Sequence, residues 1–534
     1  MAISTEHRSY TDLEEELESE HSFRRTVGDL CGLLLVIIDE KIYLLHQTAK
    51  EFLVRDELVA LPSTEPSLSN TWKHCLYSKE SNKVLAERCI WYLSLANEEI
   101  HRDPFFTYRA QYWPLYFRES CMYGMDTIAA QALYLCKAKS NQYKAWSRYS
   151  PAPDCVQDDL TICRWLPRSP THCILSSLGF EALVILLLNG GGVDMNVKDP
   201  EYGRTPLSWT AGHGHDTIVK LLLDAGKIDP GSEDYSGKTP LAWAARGGHD
   251  DVVEFLLDSG EVGPDSKVKS QVLNISAGRS SPGPMIKVDE TPLLLAAKIG
   301  HGTVVKLLLD TGKVDPNLKD DLGLTSLSHA AQNGHEKVVK ILLDAENVDP
   351  ESQDMLGRTP LLLAAMKGKE SVVNLLIISG KVYPESRDYT GRAPLSLAAA
   401  HGYERVVKQL YDTGRVDPDS RNENCRTPFS YAAGADPNAQ STIHYLGTGM
   451  SSNKIPSIAV TYERERLSAL QVLLEIKVVN VDSRDIFGRI PLSYAAAAKW
   501  RGRQLIEVLL KTGKVDVDSM DEEGRTPLSY AVES

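Results

Sequence analysis

The chain has 534 residues, which is too long for one compact core and predicts several domains or a repeat array. Its hydrophobic fraction of 42% and charged fraction of 24% are typical of a folded soluble protein and exclude disorder as the main state. The net charge of -14 argues against general binding to nucleic acid or anionic lipid, and no apolar run approaches the roughly 20 residues that span a bilayer.

The amino-terminal segment, residues 1–23, is polar and acidic and has no apolar stretch that would serve as a signal peptide, so we expect it to be disordered. The 9 cysteines are an odd number and form no C-x-x-C pair, which indicates reduced thiols. These features predict a cytoplasmic protein, with the nucleus as the alternative location. Because the spacings of Cys155, Cys163, His172 and Cys173 fit no zinc site, we interpret them as buried groups and predict no metal.

Residues 24–60 predict a β-hairpin followed by a helix. The apolar segments "LLLVII" and "IYLL" are bridged by Asp39, Glu40 and Lys41, and residues Thr48 to Glu51 form a capping box that starts a helix. Residues 61–164 predict a helical linker domain, because "WKHCLYSKESNKVLAERCIWYLSLA" and "YRAQYWPLYFRES" are amphipathic and helical.

From residue 165 to residue 534 one pattern recurs with a period near 34 residues, which indicates stacked supersecondary units. In each unit a Thr-Pro pair starts a short helix, because Thr caps the helix and Pro at its first position loses no hydrogen bond. A second helix with Val and Leu on one face follows, and a polar connector with Pro and Gly, termed the finger, ends the unit. Copies of the helix start are "TPLSWTAGHGH" at 205, "TPLAWAARGGH" at 239, "TPLLLAAKIGH" at 291, "TSLSHAAQNGH" at 325, "TPLLLAAMKGK" at 359, "APLSLAAAHGY" at 393, "TPFSYAAG" at 427, "IPLSYAAAAKW" at 490 and "TPLSYAVES" at 526.

The pattern predicts an all-α solenoid of about nine units plus a terminal half unit. A degenerate first unit that begins at Thr171 is expected to act as its amino-terminal cap. Residues 266–289 are rich in Ser, Gly and Pro and predict a flexible outgrowth of a finger, and residues 434–461 predict a loop between the two helices of one unit. The last copy stops after one helix, so we expect either a truncated chain or a partner that covers its apolar face.

The shared pattern G-x-TPL-x-x-AA-x-x-GH-x-x-VV-x-LLL resembles the ankyrin repeat. The resemblance implies helix-turn-helix-finger units and a role in protein-protein interaction. The His of the family's usual TPLH is replaced here by Ser, Ala or Leu, so its hydrogen bond between neighbouring loops is expected to be missing or weaker.

A second resemblance covers about residues 24–140 and rests on "HQTAKEFL", "LAERCIWYL" and "YRAQYWPLYFRE". These segments are similar to the winged-helix-like segment and helical linker that follow the NACHT ATPase in fungal NOD-like receptor proteins with ankyrin tails. Such proteins carry the Walker motifs upstream of the hairpin, where this sequence has only about 23 residues, so we expect the ATPase to be absent. The resemblance implies a setting in fungal non-self recognition or signalling.

The segment "GSEDYSGKTP" at 231–240 contains the Gly-Lys-Thr with which a phosphate-binding loop ends. Five residues separate Gly231 from Gly237 where such a loop has four, and the preceding residues are polar and include Pro230. We therefore interpret Gly237, Lys238 and Thr239 as the end of a finger and the cap of a helix. No G-x-S-x-G, H-E-x-x-H, G-x-G-x-x-G or EF-hand loop occurs, so the sequence predicts no enzyme and no cofactor. The recurring histidines at 215, 249, 301 and 335 are interpreted as turn residues that bond locally.

The sequence predicts a scaffold that binds a protein ligand on the concave, finger-bearing face, without binding nucleic acid or membrane; the oligomeric state is left open. A detached sensor subunit acting in trans on a NACHT-type ATPase is the alternative function. Basic residues recur before the helix caps, usually with Asp three residues before the Gly of the finger. In the favoured interpretation Asp caps the turn and the basic residue neutralises it, and in the other an Arg row faces an acidic peptide. The candidate partner-binding residues are Tyr202, Arg204, Trp209, Tyr235, Lys238, Trp243, Arg246, Met355, Arg358, Met366, Tyr389, Arg392 and Arg426.

Overall fold

In the computed structural model the chain divides into two compact units, Met1–Tyr235 and Ser236–Ser534. The structure describes residues 35–38, 41–44, 54–55, 76–94, 104–120, 127–137, 140–147, 169–190, 193–260, 262–265, 268–272, 286–434, 455–476, 479–498 and 502–533. Segment 1–23, the capping-box helix expected after Thr48, and Cys155 and Cys163 lie outside these residues. Within them, every helix is too short or too polar to cross a membrane.

Short strands and helices precede the repeats in the first unit. Strands β1 (Leu35–Ile38) and β2 (Lys41–Leu44) form an antiparallel hairpin with Leu35 opposite Leu44. Strands β3 (Val54–Arg55) and β4 (Leu76–Tyr77) pair in parallel. The helices that follow are α1 (Ser78–Ser94), α2 (Pro104–Glu119), α3 (Thr127–Leu135) and α4 (Asn141–Trp146). A winged-helix arrangement of residues 24–60 stays a prediction.

The repeats form pairs of short helices, an inner helix that starts at the Thr-Pro position and an outer helix that follows it. In the first unit the pairs are α5 (Thr171–Leu178) with α6 (Glu181–Asn189) and α7 (Pro206–His213) with α8 (Asp216–Asp224). In the second unit they are α9 (Pro240–Gly247) with α10 (Asp250–Asp258), α11 (Pro292–Ile299) with α12 (Gly302–Asp310), α13 (Ser326–Asn333) with α14 (Glu336–Asp344), α15 (Pro360–Met366) with α16 (Glu370–Ile378), α17 (Pro394–His401) with α18 (Glu404–Asp412), α19 (Pro428–Ala433) with α20 (Ile455–Glu475) and α21 (Pro491–Ala497) with α22 (Arg503–Lys511), followed by α23 (Pro527–Glu533). The predicted helical repeat fold is confirmed.

Threonine hydroxyls fix where most inner helices begin. In α15, for example, the Thr359 side chain accepts the backbone N–H of Leu362, and Pro360 occupies the first helical position. The same cap is made by Thr205, Thr239, Thr291, Thr325 and Thr427. Ala393 and Ile490 replace the threonine, and the helices that follow them start without a side-chain cap.

Stacking of neighbouring pairs creates the core of the second unit. Each inner helix packs on the next inner helix and each outer helix on the next outer helix. Leu361 and Ala365 of α15 and Val373 and Leu376 of α16 are fully buried in this stack. At about 25 cal/mol per Å² of apolar surface, burial against the neighbouring copy supplies the stability that a single pair lacks.

The Gly-His pairs link adjacent repeats. The ring Nε2 of His335 lies 3.0 Å from the carbonyl oxygen of Lys298 in the preceding repeat, and a Cβ on Gly300 would lie 2.6 Å from that ring. His301 approaches the carbonyl oxygen of Arg246 at the same distance, 3.0 Å. The expectation of local bonding was therefore wrong, because these rings cross to the previous repeat over a glycine that leaves room for them.

Aromatic side chains join the helical segment to the first repeat. Phe180, which follows α5, lies with its ring centre 5.3 Å from that of Trp113 and 4.8 Å from that of Phe117, both on α2. Trp146 of α4 meets Trp113 edge-on at 5.1 Å. Phe180 occupies the position of the histidine in the Gly-His pairs, because it follows Gly179 as His215 follows Gly214 in the next repeat. The predicted boundary at residues 164 and 165 therefore does not separate two cores.

Both predicted insertions contain regular structure at their edges. Strands β5 (Val268–Val272) and β6 (Ile286–Glu290) pair antiparallel, so residues 266–289 include a hairpin where flexibility was expected. Its alternating β-branched residues favour a strand, a signal that the Ser, Gly and Pro content of the segment obscures. Helix α20 begins at Ile455, within the predicted loop 434–461.

We predict that Phe180→Ala destabilises the first unit by about 3–5 kcal/mol, because it removes a fully buried ring from the cluster around Trp113. Tyr112→Ala, which truncates an exposed aromatic side chain on the same helix α2, is expected to cost less than about 1 kcal/mol. Urea unfolding of the full chain, followed by tryptophan fluorescence, measures both values. Equal shifts for the two variants would contradict the shared core.

Candidate functional site

A buried carboxylate closes the turn of most of the fingers that the structure describes. In the finger that contains Asp354, its Oδ1 accepts the backbone N–H of Leu356 and of Arg358, both at 2.8 Å. Gly357 completes the turn with a left-handed φ of 76°, at a point where a side chain would also collide with Tyr389 of the next finger. We call the residue that accepts these bonds the finger aspartate. In the second unit it recurs as Asp320, Asp388, Asp485 and Asp521, and Asn422 takes its place once.

Backbone hydrogen bonds join the tips of successive fingers in the second unit. The N–H of Met355 donates to the carbonyl of Leu322 at 3.0 Å, and the N–H of Tyr389 donates to that of Leu356 at 3.0 Å. Further bonds run from Glu423 to Thr390, from Ile486 to Asn424 and from Glu522 to Phe487. We call the connected segments 320–323, 354–357, 388–391, 422–425, 485–488 and 521–524 the finger rim.

The predicted arginines neutralise the finger aspartates. Oδ2 of Asp354 accepts Nε of Arg358 at 2.7 Å, and Oδ2 of Asp388 accepts Nε of Arg392 at 2.8 Å. Both carboxylate side chains are only 1% exposed, so an unpaired charge there would be costly. Arg489 and Arg525 make the same pair with Asp485 and Asp521. The geometry thus agrees with the favoured interpretation, in which the cation belongs to the turn and not to a row that faces a partner.

In two fingers other side chains replace the pair of finger aspartate and arginine. Asp320 has Leu324 at the arginine position and instead pairs with His329 of α13, whose Nε2 lies 2.8 Å from Oδ2. Asn422 carries no charge and donates to the hydroxyl of Tyr431 at 2.8 Å. Arg426, whose finger has Asn422 in place of the finger aspartate, donates to the hydroxyl of Tyr494 at 2.9 Å and lies 3.9 Å from Asp485.

Hydrogen bonds outweigh burial in setting the pKa of two finger aspartates, Asp485 and Asp521. Burial acts to raise the pKa of Asp521, but donors from Tyr530, Arg525 and the backbone lower it to about 2. Against the same effect of burial, Tyr494 and Arg489 lower the pKa of Asp485. A lowered carboxyl pKa stabilises the fold above the ordinary value, here 3.8, and that stabilisation is lost as the pH falls toward the lowered value. The contributions of Asp485 and Asp521 to stability are therefore fully present at neutral pH.

The remaining candidates from the sequence fall into separate groups. In the first unit the guanidinium of Arg204 lies 4.6 Å from the ring centre of Trp209 and 5.2 Å from that of Tyr202, while Tyr235 is exposed. In the second unit Nζ of Lys238 lies 4.9 Å and the guanidinium of Arg246 5.7 Å from the ring centre of Trp243. Nη1 of Arg358 contacts Sδ of Met366 at 3.9 Å. Lys238 is buried and Thr239 caps α9, which is the turn and cap that we predicted for Gly-Lys-Thr.

Apolar side chains stand exposed at the tips between residues 322 and 389. Leu322 is 48% exposed, Met355 65%, Leu356 55% and Tyr389 63%. Their backbones are those joined by the tip-to-tip bonds, so the four side chains lie on three consecutive fingers. We call these four residues the apolar strip. Sequence reasoning selected Met355 and Tyr389 and missed the two leucines.

Sequence reasoning also missed a column of cations just before the finger aspartates. In the second unit, Nζ of Lys319 donates to the carbonyl of Gln353 at 2.7 Å, and Arg387 and Arg484 donate to the carbonyls of Arg421 and Met520. We call Lys319, Arg387, Arg421 and Arg484 the cation column. All are exposed, and Lys198 holds the same position in the first unit. The signal in the sequence was a basic residue directly before Asp320, Asp388, Asn422 and Asp485, whereas Gln353 and Met520 precede Asp354 and Asp521.

Carboxylates at the base of the fingers tie one connector to the next. Oε1 of Glu351 accepts the backbone N–H of Tyr383 at 2.8 Å, and Oε1 of Glu385 accepts that of Asp417 at 2.8 Å. Burial raises the pKa of both groups. Their oxygens are thus engaged inside the array.

At one repeat, hydroxyl groups make the bridge between loops that the TPLH histidine makes elsewhere in the family. Ser430 stands at the TPLH histidine position, and its hydroxyl, that of Thr427 and that of Ser483 in the next finger share hydrogen bonds of 2.9–3.3 Å. The bridge between neighbouring loops is therefore present at this site and is made by shorter side chains.

The structure gives no metal centre among the residues that it describes, where no group of His, Cys, Asp and Glu side chains is arranged to hold an ion. Cys173 is buried, its Sγ lies 3.7 Å from the carbonyl oxygen of Val197, and burial raises its pKa. The thiol is therefore protonated at neutral pH and unreactive.

Comparison with known proteins identifies the repeat. The family described as ankyrin repeats (3 copies) matches residues 172–270, 265–354, 345–422 and 361–450, which together span more than half of the chain. The solved ankyrin repeat domain of Bcl-3, a member of the IkappaB family, is 23% identical over 45% of this chain and 94% of that one, with a TM-score of 0.35. The human ASB11 ankyrin repeat domain is 24% identical over 46% of this chain and 98% of that one, with a TM-score of 0.38. A search of curated proteins finds no significant match.

We predict that His329→Leu destabilises the second unit by about 1–3 kcal/mol, because the buried carboxylate of Asp320 loses its side-chain partner. Leu324 and His329 correspond to Arg358 and Leu363 in the next repeat. Adding Leu324→Arg to His329→Leu therefore recreates the arrangement around Asp354 and should restore most of the lost stability. Urea unfolding of the full chain compares the single and double variants. A double variant no more stable than His329→Leu alone would refute the exchange of one cation for the other.

Proposed function

Because the chain belongs to the ankyrin-repeat family, whose repeats are typically protein-protein interaction modules, we propose that it is a scaffold that holds a protein ligand on the finger rim. The observation that carries this proposal is the apolar strip. Four large apolar side chains project from a turn structure whose own polar groups are satisfied, at a position where they contribute little to the core.

The rim supports binding because its backbone is held before a ligand arrives. Tip-to-tip hydrogen bonds and the paired finger aspartates fix the spacing of successive fingers. A preorganised surface loses less conformational entropy on binding than a flexible loop does. Exposed Leu, Met and Tyr side chains then supply the apolar anchors that dominate many interfaces.

Inner-helix side chains beside the strip favour binding at the tips over binding deeper in the concave face. Leu363 and Leu397 are buried, so the inner helices there offer little apolar surface to a ligand. Among the candidate residues, Met355 and Tyr389 are assigned to direct contact with the ligand. Arg358, Arg392 and Arg426 are assigned to support of the rim, since their guanidinium groups bond within the array.

We further place this scaffold in the cytoplasm or nucleus, in a signalling setting of the fungal NACHT type, on the sequence resemblance of residues 24–140. In the variant in which the chain acts in trans on a NACHT-bearing ATPase, the helical segment and the first repeat would act together, because Phe180 packs against Trp113 and Phe117. Co-precipitation of the full chain with such an ATPase tests this setting, and loss of the complex in Phe180→Ala is expected. An ATPase that never co-precipitates would end the trans variant and leave the scaffold proposal standing.

Panning a phage library of random peptides, about 12 residues long and roughly 40 Å when extended, against the full chain tests the scaffold proposal. We expect clones whose affinity falls at least about tenfold in Leu356→Asp combined with Tyr389→Asp, because charged side chains replace two anchors.

The matched control is Ile378→Asp combined with Tyr383→Asp, which alters an equally apolar and even more exposed pair, each 72% exposed, away from the tips. Circular dichroism verifies that both double variants keep their helix content. The proposal falls if no clone is recovered, or if every clone binds the tip variant as well as the unchanged chain.

A further inference from the structure

We propose that the ligand of the finger rim is an acidic polypeptide segment with apolar anchor residues. This inference rests on the proposed function, because it concerns the same surface and adds the chemistry of the partner. It follows from the way in which the rim distributes its charges between paired and unpaired cations.

The rim carries two kinds of cation with different roles. Arg358 and Arg392 are paired with buried carboxylates, so their charges are compensated within the turns. Lys319 and Arg421 form no salt bridge with any residue that the structure describes, although the charge of Arg421 acts to lower the pKa of Asp419. Arg387 has a carboxylate contact, with Glu385 at 3.7 Å, but its Nη1 is directed to carbonyl oxygens. The positive charge available to a partner therefore lies in the cation column.

Hydrogen bonds to neutral acceptors hold Lys319, Arg387 and Arg484 of the column in place. Lys319 and Arg387 each donate to a carbonyl of the following finger, a neutral acceptor that fixes the side chain and leaves its net charge intact. A cation fixed in this way loses little side-chain entropy when a carboxylate arrives, and each guanidinium keeps further N–H donors. Fixed and exposed cations of one sign also steer an oppositely charged partner toward the surface.

The column borders the apolar strip. Lys319 precedes Leu322 by three residues within one finger, and Arg387 precedes Tyr389 by two within another. The nearest carboxylates on the base side, such as Glu385, are half-buried and accept backbone N–H groups. A ligand on the strip therefore lies beside exposed cations, with the rim carboxylates Asp321 and Glu423 at the two ends of the strip. Acidic residues that alternate with apolar ones would satisfy both features of the surface.

A nucleic acid fits this surface less well than an acidic polypeptide. Asp321 and Glu423 lie on the rim at the two ends of the strip, and the exposed carboxylates of Asp349 and Asp417 lie at the bases of its fingers. A backbone with one phosphate per nucleotide would meet these groups, whereas a polypeptide places its acids selectively. The net charge of -14 adds a general repulsion to polyanions.

The experiment uses the rim-dependent clones of the random peptide library, defined as those that Leu356→Asp with Tyr389→Asp weakens. We expect them to be net acidic with interspersed Leu, Phe or Met. We expect Arg387→Glu with Arg421→Glu, in the full chain, to weaken the resynthesised peptides at least about tenfold and to enrich basic peptides in a new selection. Raising the salt from about 50 to about 300 mM should weaken the original binding several-fold.

The matched control is Arg405→Glu with Lys408→Glu, which makes the same change in net charge on the exposed side of α18 and should leave the affinity unchanged. This inference would be overturned if the rim-dependent clones were neutral or basic. It would also be overturned if acidic clones bound the Arg387→Glu with Arg421→Glu variant as well as the unchanged chain. Either outcome would leave the scaffold proposal intact. Tighter binding of a single-stranded oligonucleotide than of the selected peptides would overturn it in favour of a nucleic acid. Failure to recover rim-dependent clones removes the scaffold proposal itself.

Discussion

The finger aspartate is the group on which the architecture of the rim depends. Its carboxylate lies out of water, so its charge must be compensated and its oxygens must accept hydrogen bonds. One oxygen is used by the backbone of the turn, which sets the shape of the finger, and the other requires a side-chain donor. Arg358, Arg392, Arg489 and Arg525 meet that requirement from the same finger, and His329 meets it from a helix for Asp320.

This constraint determines which charges remain for a partner. The arginines that follow the finger aspartates pair with them inside the array. In the sequence these same arginines look like a row of cations that could face a partner. The cations that precede it donate to neutral carbonyls and keep their charge at the surface. Cations that follow a finger aspartate therefore support the turn, and those that precede it are the ones we propose to meet a partner. This distinction holds in a chain whose net charge is -14.

Stacking sets a different constraint at the amino-terminal end of the repeats. A helix pair too small to bury its own apolar face needs a neighbour on each side. The repeats of His301 and His335 use a histidine over a glycine to reach the preceding copy, whereas the first repeat has Phe180 at that position and packs it against Trp113 and Phe117. The helical segment thus serves as the preceding neighbour, and the two parts share one core.

The sequence by itself determined the repeat, its period and the starts of its inner helices, because Thr-Pro caps and Leu-Ala spacing are local and recur in register. It also predicted the Asp and Arg of the fingers as a pair, since both residues lie within one turn. Only the tertiary structure decided that His329 replaces an arginine, that Leu322 and Leu356 join Met355 and Tyr389 in one strip, and that Lys319 and Arg387 reach the next finger. These relations connect residues of different elements, and their distances and burial follow from stacking, which no local pattern records.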